Sequence, residues 1–139
     1  MQAAVEAARA LPFPFTLTAR AENLLHGRND LDDTIRRLQA FEAVGADVLY
    51  SPGVHDIDTI RKVVSSVGKP FNLVMGFADP TLTVDQLSKA GVKRISVGGA
   101  MERYALAAFL KSAHEMKDHG AFTFVREMAP MNEVRAAFR

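Results

Sequence analysis

Three stretches of the chain repeat apolar residues at the three- and four-residue spacing of an amphipathic helix. Each stretch follows polar residues that can cap a helix. The candidate caps are Asn29 or Asp30, Asp56, and Thr83, which forms the spacing of a capping box with Gln86. The pattern predicts three helices, with apolar faces formed by Leu31, Ile35, Leu38, Phe41 and Val44, by Ile57, Ile60, Val63, Val64 and Val67, and by Leu87 and Ala90.

Short runs rich in apolar and β-branched residues alternate with these helical stretches. A glycine separates helix from run three times, at the evenly spaced positions Gly45, Gly68 and Gly91. We predict that each is the C′ residue that ends its helix. The runs predict four strands, at residues 15–19, 47–51, 70–75 and 94–98.

The order of elements predicts the fold class. A helical pattern also precedes the first strand, and a long one follows the fourth. One helix followed by four strands, each with a helix after it, indicates an α/β fold whose parallel sheet is buried on both faces. Two architectures are consistent with this order, a doubly wound open sheet and a piece of a (βα)8 barrel. The even spacing of the strand–helix units favours the barrel. Four such units are nevertheless too few to close a barrel of eight. We therefore expect a parallel (βα)4 half of a TIM-type (βα)8 barrel.

The end of the chain departs from this repeat. We expect the half-barrel to occupy residues 1–120, ending with a long helix over residues 100–119. Residues 121–139 do not continue the pattern and predict a C-terminal helical arm, in which Pro130 opens a short helix.

Composition and charge exclude several function classes. The chain has 139 residues, of which 48% are hydrophobic and 24% charged, and its net charge of +1 does not favour a nucleic-acid partner. It has no cysteine, which excludes disulfides, thiolate metal sites and cysteine nucleophiles. No apolar stretch approaches the roughly 20 residues of a membrane span, and the amino terminus lacks a signal-peptide layout. We expect a cytoplasmic protein without a membrane partner.

Arg20 follows the first predicted strand by one residue. Ligands of parallel α/β sheets bind at the carboxyl ends of the strands, and a guanidinium fork suits a carboxylate or a phosphate. A structural ion pair with Glu22, Asp30 or Asp32 is an equal alternative. Glu22 is interpreted as a base, as a group that orients Arg20, or as a solvated loop residue.

Other candidates follow or lie within the next strands. Ser51 ends the second predicted strand, and no histidine is arranged to activate it as a nucleophile, so it is a turn residue or a ligand contact. Asn72 either lines a ligand pocket or makes a satisfied structural hydrogen bond. We expect the loop at residues 76–80 to complete the rim of the sheet.

Gly98 and Gly99 precede the long predicted helix. Glycines at a helix start expose backbone N–H groups to which an anion can bind, and they equally allow tight packing without any ligand. No cluster of His, Asp and Glu has the spacing of metal ligands.

Several segments together resemble a known family. They are Ala19-Arg20-Ala21-Glu22 after a strand, Asp30-Leu31-Asp32-Asp33-Thr34-Ile35 at a helix start, and Val44-Gly45-Ala46-Asp47 before the next strand, followed by KPFNLVM and LSKAGVKRISVGGAMERYALAAF. This combination resembles the carboxyl-terminal half of the isocitrate lyase/phosphoenolpyruvate mutase superfamily, over residues 4–139. The resemblance implies that the chain supplies strands five to eight of a (βα)8 barrel.

The resemblance also implies a chemistry. In the superfamily, the arginine that matches Arg20 binds the carboxylate of the substrate or of the enolate product. A C–C or P–C bond next to a 2-oxo acid is made or broken, and Mg²⁺ stabilises the enolate. The Mg²⁺ ligands are acidic residues on strands three and four, so neither they nor catalytic residues are expected in this chain. The eighth helix is often exchanged between subunits, which implies a homo-oligomer.

Two departures bear on the substrate. Isocitrate- and methylisocitrate-type lyases have a glutamate soon after strand six, where this chain has Ser51-Pro52-Gly53, and an asparagine near the position of Val74 rather than at Asn72. The chain is therefore more similar to the lyase- and mutase-like branch, which leaves the substrate and the choice between C–C and P–C chemistry open.

We expect part of a Mg²⁺-dependent lyase or mutase-like enzyme that acts on a small 2-oxo or 2-hydroxy carboxylate, inactive as an isolated chain. Arg20, Asn72, Ser51, Gly98 and Gly99 would bind the substrate, and Glu22 would orient Arg20. The alternative is a non-catalytic half-barrel that self-associates into a closed barrel. Met1 standing in mid-barrel favours this alternative, because an open parallel sheet has two edges that pair with other strands.

Overall fold

A computed structural model describes residues 1–76 and 78–138, so Phe77 of the predicted rim loop and Arg139 at the end of the predicted arm lie outside the described residues. The strands are β1 (Thr18–Arg20), β2 (Val48–Tyr50), β3 (Phe71–Val74) and β4 (Arg94–Ser96). The helices are α1 (Gln2–Arg9), α2 (Leu31–Ala43), α3 (Ile57–Ser65), α4 (Val84–Lys89), α5 (Ala100–His119) and α6 (Met131–Ala136), with a 3-10 helix at Thr123–Glu127.

The four strands form one parallel sheet in the order β1-β2-β3-β4. Each strand therefore pairs with the next one along the chain, and a helix lies in every connection. This winding is that of a TIM-type barrel, in which neighbouring strands are consecutive in sequence. The predicted fold class, a parallel half of such a barrel, is confirmed.

One face of the sheet packs against the helices and forms the core. Side chains in a strand alternate between the two faces, so the residues on this face come from every second position. Burial of these apolar side chains is the main stabilising term of the fold. The core comprises Ala19, Leu49, Phe71 and Leu73 from the sheet and Ile35, Leu38, Ile60, Val63 and Leu87 from the helices.

The predicted helix starts are confirmed. The carboxylate of Asp30 accepts a hydrogen bond from the backbone N–H of Asp33, and that of Asp56 accepts two from the first turn of α3. Thr83 and Gln86 form a reciprocal capping box at the start of α4. Each cap satisfies N–H groups that have no partner within the helix, which explains why these helices begin where the sequence predicts.

The first strand differs from its prediction. β1 begins at Thr18, three residues later than expected, and Phe15 is 47% exposed. The reason lies in the pairing partner, because the Leu17 carbonyl accepts hydrogen bonds from the N–H groups of Asp47 and Val48, and regular pairing starts only after it. Arg20 is consequently the last residue of the strand rather than the first residue beyond it.

Two of the three helix-ending glycines behave as predicted. Gly45 and Gly91 directly follow the last turns of α2 and α4 and have φ of +103° and +89°, values that side chains disfavour. Gly68 is not a C′ residue, because α3 already ends at Ser65. Its N–H donates to the Glu42 carboxylate at 2.9 Å, and an added Cβ would lie 2.6 Å from an oxygen of that carboxylate.

The described residues group into two compact units, Met1–Gly98 and Gly99–Arg139. The first unit contains the whole sheet with α1 to α4. The helix α5 falls in the second unit, whereas the sequence predicts that it completes the half-barrel. The predicted boundary at residue 120 between half-barrel and arm stays a prediction. Pro130 is the N-cap of α6, as predicted.

The second unit consists of α5, the 3-10 helix and α6. Gly120 ends α5 with φ of +60°, and the Glu115 carboxylate accepts the backbone N–H of Thr123. Lys111 pairs with Glu127 at 3.0 Å beside a groove of about 360 Å³, lined mainly by apolar side chains of α5 and the 3-10 segment. No helix within the described residues is long and apolar enough to cross a bilayer.

Candidate functional site

Arg20 lies at the carboxyl end of β1, the position at which parallel sheets bind ligands. Its Nε is 2.5 Å from Glu22 Oε1, and the arginine side chain remains 49% exposed. The ion pair with Glu22, one of the two sequence interpretations, is present, and the binding of an anion by Arg20 stays a prediction. The pair with Glu22 orients the guanidinium and uses only one side of its donor fork.

Tyr50 supports Arg20 from the neighbouring strand. The two residues are directly opposite in the parallel register, and the Arg20 Cζ lies 4.7 Å from the centre of the Tyr50 ring. This cation–π contact holds the guanidinium over β2. Burial raises the pKa of the Tyr50 phenol above its ordinary value of 10.0, and the charge of Arg20 partly opposes the rise. Sequence reasoning did not assign Tyr50 to the site.

Ser51 follows Tyr50 and is buried, with 1% of the residue exposed. Its hydroxyl donates to the Ala21 carbonyl at 3.1 Å, while the N–H of Ala21 donates to the Tyr50 carbonyl at 2.9 Å. These two bonds join the segments that follow β1 and β2. The observed partner of Ser51 is thus structural, and its contact with a ligand stays a prediction.

Asn72 is buried at 1% exposure on the face of the sheet opposite the helices. Its Nδ2 donates to Ser96 Oγ at 3.1 Å, and its Oδ1 accepts from Arg94 Nη1 at 2.7 Å. The amide therefore has partners at both ends, all of them on β4. Arg94 is a further residue that sequence reasoning missed, since an arginine at a strand start has no distinguishing local pattern.

The two glycines after β4 fall in different units. Gly98 has φ of +54° and ends the first unit, where an added Cβ would lie 3.7 Å from Val74. Gly99 opens the second unit as the N-cap of α5, with no side-chain cap to its first turn. Anion binding by the N–H groups at Gly98 and Gly99 stays a prediction.

A small cavity of about 240 Å³ adjoins Glu22. It is lined by Glu22, Asn23, His26, Arg28 and Arg37. The His26 Nε2 is 4.0 Å from Glu22 Oε2, so Glu22 lies between two basic side chains. Asn23 holds the loop by donating to Thr34 Oγ1 at 2.5 Å.

The described residues do not form a metal site by themselves. In residues 1–76 and 78–138, no group of three or more His, Asp or Glu is close enough to hold a metal ion. Glu22 pairs with Arg20, and Asp30 caps α2. We therefore derive no chemical step through a metal from these residues.

Comparison with family models gives a match to phosphoenolpyruvate phosphomutase over residues 1–117. The chain belongs to the phosphoenolpyruvate phosphomutase family. The resemblance inferred from the sequence motifs is thereby confirmed, and the matched region of this family member includes the whole sheet and most of α5. A comparison with curated proteins gives no significant match.

Solved structures place this family member among isocitrate lyase/PEP mutase superfamily proteins. A candidate lyase/mutase from Burkholderia cenocepacia J2315 is 57% identical, with a TM-score of 0.91, over 99% of this chain and 49% of that one. 2,3-Dimethylmalate lyase, a superfamily member, is 26% identical, with a TM-score of 0.75, over 96% and 48%. Phosphonopyruvate hydrolase, solved with oxalate and Mg²⁺, shares the fold at 24% identity and a TM-score of 0.72, over 94% and 47%. The chain thus spans about half the length of these proteins.

Proposed function

We propose that this chain is the carboxylate-binding half of an enzyme that cleaves or forms the C–C or P–C bond of a small 2-oxo or 2-hydroxy acid. Arg20 binds the carboxylate of the substrate, and Glu22 and Tyr50 hold its guanidinium in place. Ser51 shapes the connection after β2 by donating to the Ala21 carbonyl, next to Arg20 in the chain.

One observation carries this proposal. Arg20 is a half-exposed arginine at the carboxyl end of a parallel strand, oriented by a carboxylate on one side and an aromatic ring below it. A guanidinium whose position is set before the ligand arrives loses less entropy on binding. Membership of the phosphoenolpyruvate phosphomutase family, and similarity to a lyase of the small acid 2,3-dimethylmalate, support an acidic substrate.

In this proposal, Mg²⁺ would be bound by the other half of the barrel. The resemblance assigns its ligands to strands three and four, and this chain corresponds to about half of the matched structures. Bound Mg²⁺ would stabilise the enolate formed when the bond breaks. The residues described here contribute the binding of the carboxylate and its orientation.

The proposal is tested on a complete barrel that contains this chain. The chain is fused to the half of the Burkholderia cenocepacia protein that it does not cover, and cleavage of 2,3-dimethylmalate and of phosphonopyruvate is measured with Mg²⁺. We expect cleavage of one of them, and a fall in kcat/KM of about 10- to 100-fold in Arg20→Gln, since one charge-assisted hydrogen-bonded pair contributes about 1.5–3 kcal/mol.

A matched control is Arg61→Gln. Arg61 is an exposed arginine that pairs with Asp58, and it lies on the helix α3 rather than at the carboxyl end of a strand. Its substitution should change kcat/KM less than twofold. Equal activity of Arg20→Gln and the wild-type barrel, or no cleavage of either acid, would contradict the proposal.

The alternative function, a half-barrel that acts as an assembly module, is supported by a separate observation. Within the described sheet, β1 and β4 each have a neighbour on one side only. Open strand edges associate with other strands. This alternative would be favoured if the chain formed a stable closed oligomer with itself and did not bind the complementary half of the barrel.

A further inference from the structure

Tyr50 stands beside Arg20 at the ligand-binding edge of the sheet. The two residues are directly opposite one another in the register of β1 and β2, and each is the last residue of its strand. Their neighbours Ala19 and Leu49 belong to the core on the other face of the sheet. Both side chains therefore project from one face at the carboxyl ends of parallel strands, where ligands bind.

The hydroxyl of Tyr50 has no hydrogen-bond partner within residues 1–76 and 78–138. The residue is 9% exposed, and its backbone carbonyl accepts a hydrogen bond from the N–H of Ala21, but its phenol oxygen forms none with another described residue. Buried tyrosines usually form a hydrogen bond through the hydroxyl, and a buried polar group without one needs a physical explanation. A hydroxyl that is left over at this edge of the sheet is available to a ligand.

The Tyr50 hydroxyl is also accessible. Among the described side chains, Asn23 Oδ1 is the polar atom that is both sealed from solvent and unpaired, and the Tyr50 oxygen is not in that state. The neighbouring hydroxyl of Ser51 already donates to the Ala21 carbonyl at 3.1 Å. Of the two hydroxyl groups at the end of β2, that of Tyr50 is thus the one left for a ligand.

Arg20 brings an anion to the edge of this ring. Its Cζ lies 4.7 Å from the centre of the Tyr50 ring, and its Nε faces Glu22 at 2.5 Å. A guanidinium has five N–H donors in one plane, so the two Nη groups remain for a ligand. An anion bound by these donors lies next to the ring that carries the hydroxyl.

The phenol supplies a hydrogen bond without adding charge. Burial raises the pKa of the Tyr50 phenol above its ordinary value of 10.0, so the phenol is protonated at pH 7. A protonated phenol donates to an anion, whereas a phenolate would repel it. The bonds of Ala21 to Tyr50 and to Ser51 hold the ends of β1 and β2 together, which preorganises the two donors for a ligand.

We propose that the Tyr50 hydroxyl is a second hydrogen-bond donor to the carboxylate that Arg20 binds. The guanidinium holds one oxygen of the carboxylate and the phenol donates to the other, so Tyr50 binds the ligand directly as well as supporting Arg20. This inference rests on the proposed function, which assigns the carboxylate to Arg20. The competing role for the phenol is a hydrogen bond to the other half of the barrel.

The phenol itself reports the contact. The chain contains two tyrosines and no tryptophan, so Tyr104→Phe leaves Tyr50 as the one side chain whose ionisation changes the ultraviolet absorbance. The phenol is titrated with alkali in sodium acetate and in sodium chloride of equal ionic strength. We expect acetate to raise the midpoint by at least about 0.5 pH units, because a bound carboxylate stabilises the protonated phenol and repels the phenolate. Arg20→Gln should abolish this shift.

Binding at pH 7 is a second measurement, which does not depend on ionising the phenol. Acetate is titrated into the isotopically labelled 139-residue chain, and its affinity is read from amide chemical shifts. Tyr50→Phe keeps the ring beneath Arg20 and removes only the hydroxyl, so it should weaken acetate binding about 10-fold through the loss of one hydrogen bond to a charged group. Tyr104→Phe is the matched control, a tyrosine on α5 that is 83% exposed, and should change the affinity less than twofold.

Three outcomes separate the possible failures. Acetate that binds Tyr50→Phe as tightly as the wild type, and that leaves the phenol midpoint unchanged, overturns the role of the hydroxyl. In the completed barrel, a lower melting temperature of Tyr50→Phe with an unchanged KM shows that the phenol bonds to the other half, and overturns that role as well. Acetate binding that is unchanged in Arg20→Gln instead contradicts the proposed function.

Discussion

Asp47 connects three parts of the first unit. Its carboxylate accepts a hydrogen bond from Arg9 at the end of α1, at 2.6 Å, and one from the backbone N–H of Leu17 before β1, at 2.8 Å. It also stands immediately before β2. These bonds, with that to Arg9 the largest, hold the pKa of the carboxyl below its ordinary value of 3.8.

The lowered pKa predicts how stability depends on pH. A carboxyl group with a lower pKa in the folded state stabilises the protein above its unfolded-state pKa, and this contribution is lost as the pH falls through the folded-state pKa. We expect Asp47→Asn to lower the urea midpoint at pH 7. The difference from the wild type should shrink as the pH falls below 3.8 and through the lower pKa of the folded state, because the wild-type carboxyl then becomes neutral as well.

Asp85→Asn is the control for this pH dependence. Asp85 is exposed on α4 and pairs with Lys89 one turn later, a surface pair of small energetic value. Its substitution should leave the urea midpoint nearly unchanged at every pH. A gap between wild type and Asp47→Asn that is equally wide at pH 7 and at pH 2.5 would contradict the assigned role of Asp47.

At the scale of elements, α3 shows how a single cap positions a helix. Asp56 accepts hydrogen bonds from the N–H groups of Asp58 and Thr59, at 3.1 and 2.8 Å. The start of the helix sets the phase of its apolar face, which places Ile60 and Val63 in the core. One carboxylate therefore caps the start of α3 in the connection from β2 to β3.

Asp56→Ala should destabilise the chain by about 1 kcal/mol, the usual effect of losing an N-cap. Asp56→Asn keeps an acceptor oxygen and should retain most of the stability. Asp58→Ala, in the same turn, removes only an exposed pair with Arg61 and should have a smaller effect. Urea denaturation of the three variants measures these differences; equal losses for Asp56→Ala and Asp58→Ala would show that the cap has no special role.

At the scale of the whole molecule, two features favour association. Within the described sheet β1 and β4 have unpaired edges, and α5 has no buried residue. Large apolar side chains on α5 are exposed, among them Tyr104 at 83% and Phe109 at 67%. Exposed apolar surface of this kind indicates contacts with other chains.

Light scattering on a size-exclusion column tests the association. We expect the isolated chain to have a mass above the 15.2 kDa of one copy, and to form a one-to-one complex when the other half of the barrel is supplied. Phe109→Glu should shift the isolated chain towards the monomer. The control Val84→Glu changes a similarly exposed apolar residue on α4, at 72%, and should not.

A monomer at every concentration would contradict this prediction. A monodisperse dimer that does not take up the complementary half would instead favour the assembly module over the enzyme. Light scattering therefore also distinguishes the enzyme half from the assembly module.

The sequence by itself determined the order of elements and the family. Helix starts at Asp30, Asp56 and Thr83 were predictable because a cap bonds to N–H groups only two or three residues away. The parallel sheet followed from the alternation of strands and helices, because a parallel pair needs a crossover connection. Arg20 could be placed near the ligand-binding end for the same reason.

The tertiary structure decided what depends on contacts distant in the chain. β1 begins at Thr18 because its partner strand begins to pair there, and Tyr50 and Arg94 join Arg20 in one row only through the register of four strands. A register shift of one residue would move each side chain to the opposite face. No local pattern carries that information, which is why the sequence pointed to Arg20 and not to the side chains aligned with it on the neighbouring strands.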